Sequence, residues 1–552
     1  MKKILLYTFL LSILLFSKIY GQTVNFTESV LPILKVNTNG NTIVNEPKIL
    51  ADLQLIDNGI GKINKVTDKA NVYLGKTGIE LRGSTSQTFF PKKPYGLELW
   101  VDSTQKSKKS VMLGMPEESD WVLNTSYNDK TFMRDVLAYD LANRMGRYAT
   151  RTRYCEMMVN GNYEGIYILM EKIKKDKNRV DISTLKTTDN TGDDVTGGYI
   201  LKIDKTEGTK SRLWNTELTV NSKKYTIPIQ IDYPKLADIT EQQFTYIKNY
   251  VTDFETSLKA DDFQSPTAKW RSLSDIDSFV DYFLLTEMVK NVDGYRLSTY
   301  FYKEKDSKGG KLKMGPAWDY NLSFGNADYA DGYKTSGFQY KENELLIAAN
   351  DTYFLAPFWW EKLSTDSTFQ NKVGKRWRVL RKSVFSEDRI EKWMDSTAAI
   401  LQPITVRNFS RWPGVLGTKV WPNYYVGNTY QQEVEWMKSW IRQRVAWLDG
   451  QFATYGITLA NEQEIVKESP LRLFPNPAEN QTMIEYDVLR KARVAINVYD
   501  LTGRLIKTLT DEDKLVHTYK IPFNSESLNS GTYIIDYQAD GVLIEQIKMV
   551  KK

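Results

Sequence analysis

Two aspartates near the middle of the chain sit where carboxylate chemistry can be organised. Asp319 lies in Trp318-Asp-Tyr-Asn-Leu-Ser-Phe-Gly, and Asn321, two residues on, adds an amide oxygen that can share one cation with it. Asp293 lies in Asn291-Val-Asp-Gly-Tyr, between an apolar run and a short β-like run. Competing chemistry is scarce: the one histidine, His517, is close to the C-terminus, and Cys155 is the one cysteine. This inventory excludes Ser-His-Asp and Cys-His catalysis, histidine general bases and histidine- or cysteine-rich zinc sites from the main region. Carboxylates, lysines and hard cations remain, and Mg2+ is the usual partner of phosphates among such cations. A sugar-cleaving carboxylate pair also passes this filter, although no motif marks one. Each aspartate has a plainer reading as well. Asp-Gly is an ordinary turn pair that can cap a helix end, and Asp319 can be a buried carboxylate bonded to backbone.

These residues need elements to hold them. The run from Ser274 to Asn291 is apolar with helical spacing, Ser298 to Tyr302 and Lys311 to Met314 read as short strands, and the chain leaves the sheet at Trp318. Upstream, Leu31-Pro-Ile-Leu-Lys-Val, 48–57, Gly78-Ile-Glu-Leu-Arg-Gly and Tyr95-Gly-Leu-Glu-Leu-Trp alternate or run apolar between turn residues, as strands do. Residues 131–145 predict a helix, with Asp129 or Thr131 at its start and Gly146 at its stop. Tyr154 to Ile173 predicts a hairpin turning at Asn160-Gly161, and Gly197-Gly-Tyr-Ile-Leu-Lys-Ile-Asp another strand. From Trp318 to about Tyr455 the pattern is mainly helical, and Trp436, Trp440 and Trp447 share a helix face that reads as core.

The ends are read separately. Lys2 and Lys3, an apolar run from Ile4 to Phe16 and small or polar residues at Gly21 and Gln22 predict a signal peptide over 1–21. The run is shorter than the ~20 residues of a transmembrane helix, and the mature chain is expected to have no transmembrane segment. A formal charge of +6 spread over 552 residues gives no basic surface for nucleic acid, so nucleic acid is excluded as a partner. Polar residues around 456–469 predict a linker, after which alternating strands predict a small all-β sandwich over 470–552. Its Phe474-Pro-Asn-Pro start, Tyr499-Asp-Leu-Thr-Gly-Arg middle, Gly531-Thr-Tyr strand and basic end resemble the C-terminal sorting domain of type IX secretion. The resemblance implies the type IX secretion machinery as a partner and a secreted or cell-surface destination. His517 is expected to be a surface residue of this module.

The ordered set Leu81-Arg-Gly-Ser-Thr-Ser, Pro91-Lys-Lys-Pro-Tyr, Met133-Arg, Asn160-Gly-Asn-Tyr-Glu-Gly, Glu171-Lys, Gly197-Gly-Tyr-Ile-Leu-Lys-Ile-Asp, Asn291-Val-Asp-Gly-Tyr and Gly315-Pro-Ala-Trp-Asp-Tyr-Asn resembles the CotH (spore-coat protein H) family of atypical kinases. The resemblance implies an α+β chain with an atypical protein-kinase-like core over 78–455 and a β-rich segment over 22–77 before it. It implies ATP and Mg2+ as cofactors and a secreted or surface protein as phosphate acceptor. Phosphoryl transfer needs one carboxylate to orient the attacking hydroxyl and another to hold the cation, with further cations balancing phosphate charge.

Asp293 and Asp319 fit those posts, with Asn321 and Ser298 as further metal ligands. The resemblance implies an Asn at 298, and serine is the poorer ligand, so a non-catalytic surface or adhesion protein stays open. Trp318 is expected either to stack a nucleobase or to pack in the core. Lys93, Lys172 and Lys202 are alternative phosphate lysines, and Glu171 is a possible ion-pair partner for one of them. Arg82 and Ser84 around Gly83 are candidates for a phosphate-covering loop. Arg134 reads as a structural salt bridge. The many Trp and Tyr residues leave a carbohydrate-binding or carbohydrate-active protein as a third class.

Overall fold

A computed structural model of the chain describes residues 23–206, 212–456, 470–488, 491–500, 504–515 and 517–552. The expected signal peptide and nearly all of the expected linker lie outside these residues. The chain divides into two compact units, Met1–Ile457 and Thr458–Lys552.

In the first unit, period-two patterning produces a closed seven-stranded barrel. Ala51, Leu53 and Leu55 of the strand Ile49–Ile56 point into its core, while Asp52 and Gln54 alternate with them. Strands Ile33–Asn37, Ile49–Ile56, Tyr73–Leu81, Tyr95–Trp100, Asp120–Asn124, Asn162–Glu171 and Thr152–Val159 follow one another antiparallel around the wall. The ring closes by parallel pairing of Ile33–Val36 with Glu156–Val159. The expected boundary between 77 and 78 therefore falls inside the strand Tyr73–Leu81, and 22–77 is not a separate segment. Gly78 is required there, because a Cβ would lie 2.3 Å from the buried Trp100 ring.

The hairpin forms as read, with Asn160 and Gly161 both at positive φ (50° and 80°), the geometry of a two-residue type I′ turn. Its second strand is apolar at consecutive positions because both faces are covered. Tyr167 and Leu169 fill the barrel, whereas Ile166, Ile168 and Met170 meet the helical core. Cys155 is buried inside the barrel.

A five-stranded antiparallel sheet follows in the order Leu213–Val220, Lys223–Tyr233, Tyr199–Ile203, Thr299–Lys303, Leu312–Met314. The helix Ile276–Val289 is buried from Ser278 to its end, which explains its apolar character on every side. It packs against the helices Ser367–Arg381 and Tyr430–Phe452. Trp440 is buried and Trp436 and Trp447 are half-buried against the same core, so the aromatic face is packing. Among the described residues no helix is long and apolar enough to cross a membrane.

The second unit is all-β. A three-stranded and a four-stranded antiparallel sheet enclose their own core, which includes Leu471, Ile484, Val494, Ile496, Ile535 and Met549. His517 is exposed on a strand and meets the Tyr519 ring edge-on.

Candidate active site

The end of the helix Ile276–Val289 fixes Asp293. Lys290 terminates the helix in the left-handed conformation, and a tight turn follows in which the Gly294 N–H bonds the Asn291 carbonyl and the Arg296 N–H bonds the Asp293 carbonyl, both at 3.0 Å. Asp319 follows the last strand of the five-stranded sheet and is itself left-handed, at φ 62°. A non-glycine residue pays on the order of 1–3 kcal/mol for such a conformation, so the surroundings must hold it. Its N–H donates to the Tyr139 hydroxyl at 2.9 Å, and the next N–H, of Tyr320, donates to Asp135 Oδ1 at 2.6 Å. Tyr139 and Asp135 both belong to the helix Arg134–Arg144. That helix begins at Arg134, three residues later than read from sequence, and its N-cap Met133 makes no side-chain cap bond; the Asp129 carboxylate serves the first turn instead, accepting from the Thr131 and Arg134 N–H groups at 3.1 and 2.8 Å.

One side chain joins the two aspartate segments. Asn291 donates through Nδ2 to the Asp319 carbonyl at 3.1 Å and accepts through Oδ1 from the Asp293 N–H at 3.2 Å. The carboxylates sense each other in consequence. Asp319 is exposed as a residue, yet its carboxyl is pushed up, first because neighbouring protein displaces water around it, then by the charges of Asp293 and Asp204, while Arg82 and Lys205 pull it down. Asp135 is pushed up in turn by burial and then by Asp319.

The other expected residues divide. Asn321 donates through Nδ2 to Asn128 at 3.2 Å, which orients its amide and leaves the carbonyl oxygen as a donor to a cation. The Arg82 guanidinium lies 5.4 Å from the centre of the Trp318 ring, and Tyr139 stacks against that ring at 6.5 Å. Trp318 is half-buried between core clusters, so base stacking there would require Arg82 to move. Lys202 pairs with Asp232 at 3.2 Å. Lys172 feels Arg82, Asp120 and Asp232, and burial, then Arg82, push its ammonium down.

Lys93 gives its Nζ to the Gln87 carbonyl instead of the acidic cluster. Glu171 is fully buried and binds Arg151 at 2.7 Å and Arg179 at 3.2 Å; two arginines, not a lysine, are its partners. Arg134 is structural, paired with Asp129 at 2.5 Å and donating to the Ser323 carbonyl at 3.1 Å. Ser84 precedes the short helix Thr85–Phe89, and Gly83 before it is left-handed at φ 83°.

A family profile described as CotH kinase protein matches residues 79–448, more than half of the 552. The chain belongs to the CotH kinase protein family. In this CotH chain a second profile, the secretion system C-terminal sorting domain, matches residues 472–552, marking it for export by the type IX route to the surface or beyond. No curated protein matches. Among solved structures, the Pseudomonas fluorescens alkylpurine DNA glycosylase AlkC bound to abasic-site DNA shares 11% identity over 39% of this chain and 78% of its own, at a TM-score of 0.12. A score that low carries no argument about fold.

Sequence reading of the CotH chain missed several residues at the site. Asp204, the last residue of a quoted motif, ends the strand Tyr199–Ile203, and its carboxylate accepts from the Lys205 N–H at 2.9 Å and from the Ser298 N–H. Lys205 reaches the Thr85 hydroxyl at 2.9 Å, tying the sheet to the loop after Gly83. Asp135 and Tyr139 gave no signal beyond helical spacing. Among the described residues no three His, Cys, Asp or Glu side chains converge as a metal cage. The donors suited to a hard cation are Asp319 and the Asn321 side-chain Oδ1, and the negative charge of Asp293 and Asp204 felt at Asp319 favours positive charge beside it.

Proposed function

We propose that this CotH family member is an exported phosphotransferase that uses a Mg2+-bound nucleotide and passes phosphate to hydroxyls of secreted or surface proteins, from an atypical kinase-like core. The observation that supports it most is the Asn291 bridge, which holds the Asp293 and Asp319 backbone segments to each other. Asp319 and the Asn321 side-chain Oδ1 would hold the cation. Asp293 orients the acceptor hydroxyl and receives its proton. Arg82 and Lys205 place positive charge beside Asp319, where phosphate oxygens need it. When bound, Mg2+-nucleotide supplies the phosphoryl group and the charge neutralisation of its leaving group. The expected signal peptide and the sorting domain together direct the chain outward.

A non-catalytic reading is favoured by one feature. Ser298 stands where the family resemblance implies an amide, and its N–H is spent on Asp204.

Thermal denaturation with and without ATP and MgCl2 separates the two. Mg2+-dependent stabilisation that is lost in Asp319→Ala, and Asp293→Ala binding nucleotide without transferring phosphate, is the expected result. Normal transfer by Asp293→Ala refutes the assignment, and the absence of any nucleotide effect refutes phosphotransfer.

A further inference from the structure

Arg296, three residues after Asp293, links that aspartate to a buried part of the core. Its Nη2 lies 2.9 Å from Asp293 Oδ1, and among the described residues no hydrogen bond reaches Oδ2. The guanidinium is itself held: Nε donates to the Val292 carbonyl at 2.9 Å and Nη1 to the Phe354 carbonyl at 3.2 Å. Nε also lies 3.7 Å from Glu342 Oε2, and the Tyr329 ring centre is 5.8 Å from the guanidinium carbon. Arg296 is 5% exposed and Glu342 1%.

The two carboxylates that flank Arg296 differ. Glu342 Oε2 accepts from Gln339 Nε2 at 2.7 Å, while its Oε1 has no hydrogen-bond partner. Burial pushes the Glu342 carboxyl up to about 8, so near neutral pH it is largely a neutral acid, and Asp293 lies nearer the guanidinium, at 2.9 Å against 3.7 Å.

We propose that Arg296 is the positioning residue of the transfer reaction: it fixes one carboxylate oxygen of Asp293 and leaves the other for the acceptor hydroxyl. The proposal rests on the phosphotransfer reading. Its physical basis is the crowding of negative charge, since Asp319 senses both Asp293 and Asp204, and without Arg296 the Asp293 side chain would be free to rotate away from the site. Lysine cannot substitute, because a single ammonium cannot reach the Val292 and Phe354 carbonyls and Asp293 in the planar fork that arginine provides.

The test uses the full chain with ATP, MgCl2 and dephosphorylated casein as acceptor. Arg296→Met should lower kcat about 100-fold with KM for ATP within about twofold, because the cation is held elsewhere. Arg296→Lys should recover less than a tenth of the loss, and millimolar methylguanidinium should restore Arg296→Ala at least about fivefold, which a merely structural role would not allow. A double-mutant cycle of Asp293→Asn and Arg296→Met, read by equilibrium unfolding without nucleotide, should show coupling of about fivefold or more in the unfolding constant. Wild-type kcat in Arg296→Met, a KM that rises in step with the loss, or coupling below about twofold overturns the positioning role. A wild-type chain that transfers nothing yet shows the coupling overturns the phosphotransfer reading, and the positioning role with it.

Discussion

Replacing Arg444 by methionine isolates the ion pair that anchors the helix delivering Asp293. Arg444 and Glu287 are both fully buried, with Nη2 3.0 Å from Oε2. Arg444 also donates to the carbonyls of Glu287, Thr335 and Gly337 at 2.8, 3.0 and 2.7 Å. Glu287 in turn accepts from the N–H groups of Gln339 and Tyr340 at 2.8 and 2.9 Å and from the Tyr295 hydroxyl at 3.1 Å. Removing one member of a buried pair costs about 3–5 kcal/mol, two to nearly four decades in the unfolding constant at 1.36 kcal/mol per decade.

Removing both, in Glu287→Gln/Arg444→Met, should cost less than the sum of the single changes. The cost in Arg444→Met should also depend on pH. Burial already raises the Glu287 carboxyl, and losing the guanidinium raises it further. A carboxyl raised in the folded state binds its proton more tightly there, so stability falls as pH rises from the unfolded value toward the folded one. The defect should therefore be larger at pH 8 than at pH 5. Urea unfolding followed by tryptophan fluorescence reads this cleanly, since all 14 tryptophans precede residue 448 and none belongs to the second unit. A loss below about 1 kcal/mol, or the opposite pH trend, refutes the reasoning.

Gly325→Ala should destabilise the first unit by about 2–5 kcal/mol, from left-handed strain and overpacking together, because φ is 74° and a Cβ would lie 2.4 Å from the buried Trp440 ring. The same urea titration checks it. Asn291→Ala should leave the unit folded by circular dichroism while lowering phosphate transfer about 100-fold, since it releases Asp293 and Asp319 from each other. Lys92 is buried, and its ammonium is pushed down to about 7 by desolvation. Because the unfolded chain binds that proton more tightly, wild type should gain stability over Lys92→Met as pH rises from about 7 toward 10, measurable by urea unfolding at each pH.

What could be read from sequence is what is encoded locally. Asn160-Gly161 announces its turn because two left-handed residues fit only a few side chains, and the helix before Asp293 announces itself by an apolar run. Asp319 and Asn321 stood out through residue type and a spacing of two. The rest depends on partners far along the chain. By sequence Glu171 is a candidate partner for Lys93, Lys172 or Lys202, yet its arginines come from Arg151 across the hairpin and from Arg179 after it. Asp204 meets Ser298 only when the strands Tyr199–Ile203 and Thr299–Lys303 pair. The barrel crosses the boundary expected at 77/78 for the same reason: nothing in residues 33–36 indicates that their partners lie at 156–159.

That last pairing has a consequence for a chain that must leave the cell. Until Ile33–Val36 docks beside Glu156–Val159, the wall is an open ribbon with two raw margins, each able to recruit a strand from another molecule. The seal joins stretches over a hundred residues apart, so it cannot form before the second one is available. A truncation that removes Ile33–Asn37 should thus produce self-association instead of a smaller soluble protein, as a seam left unsewn would.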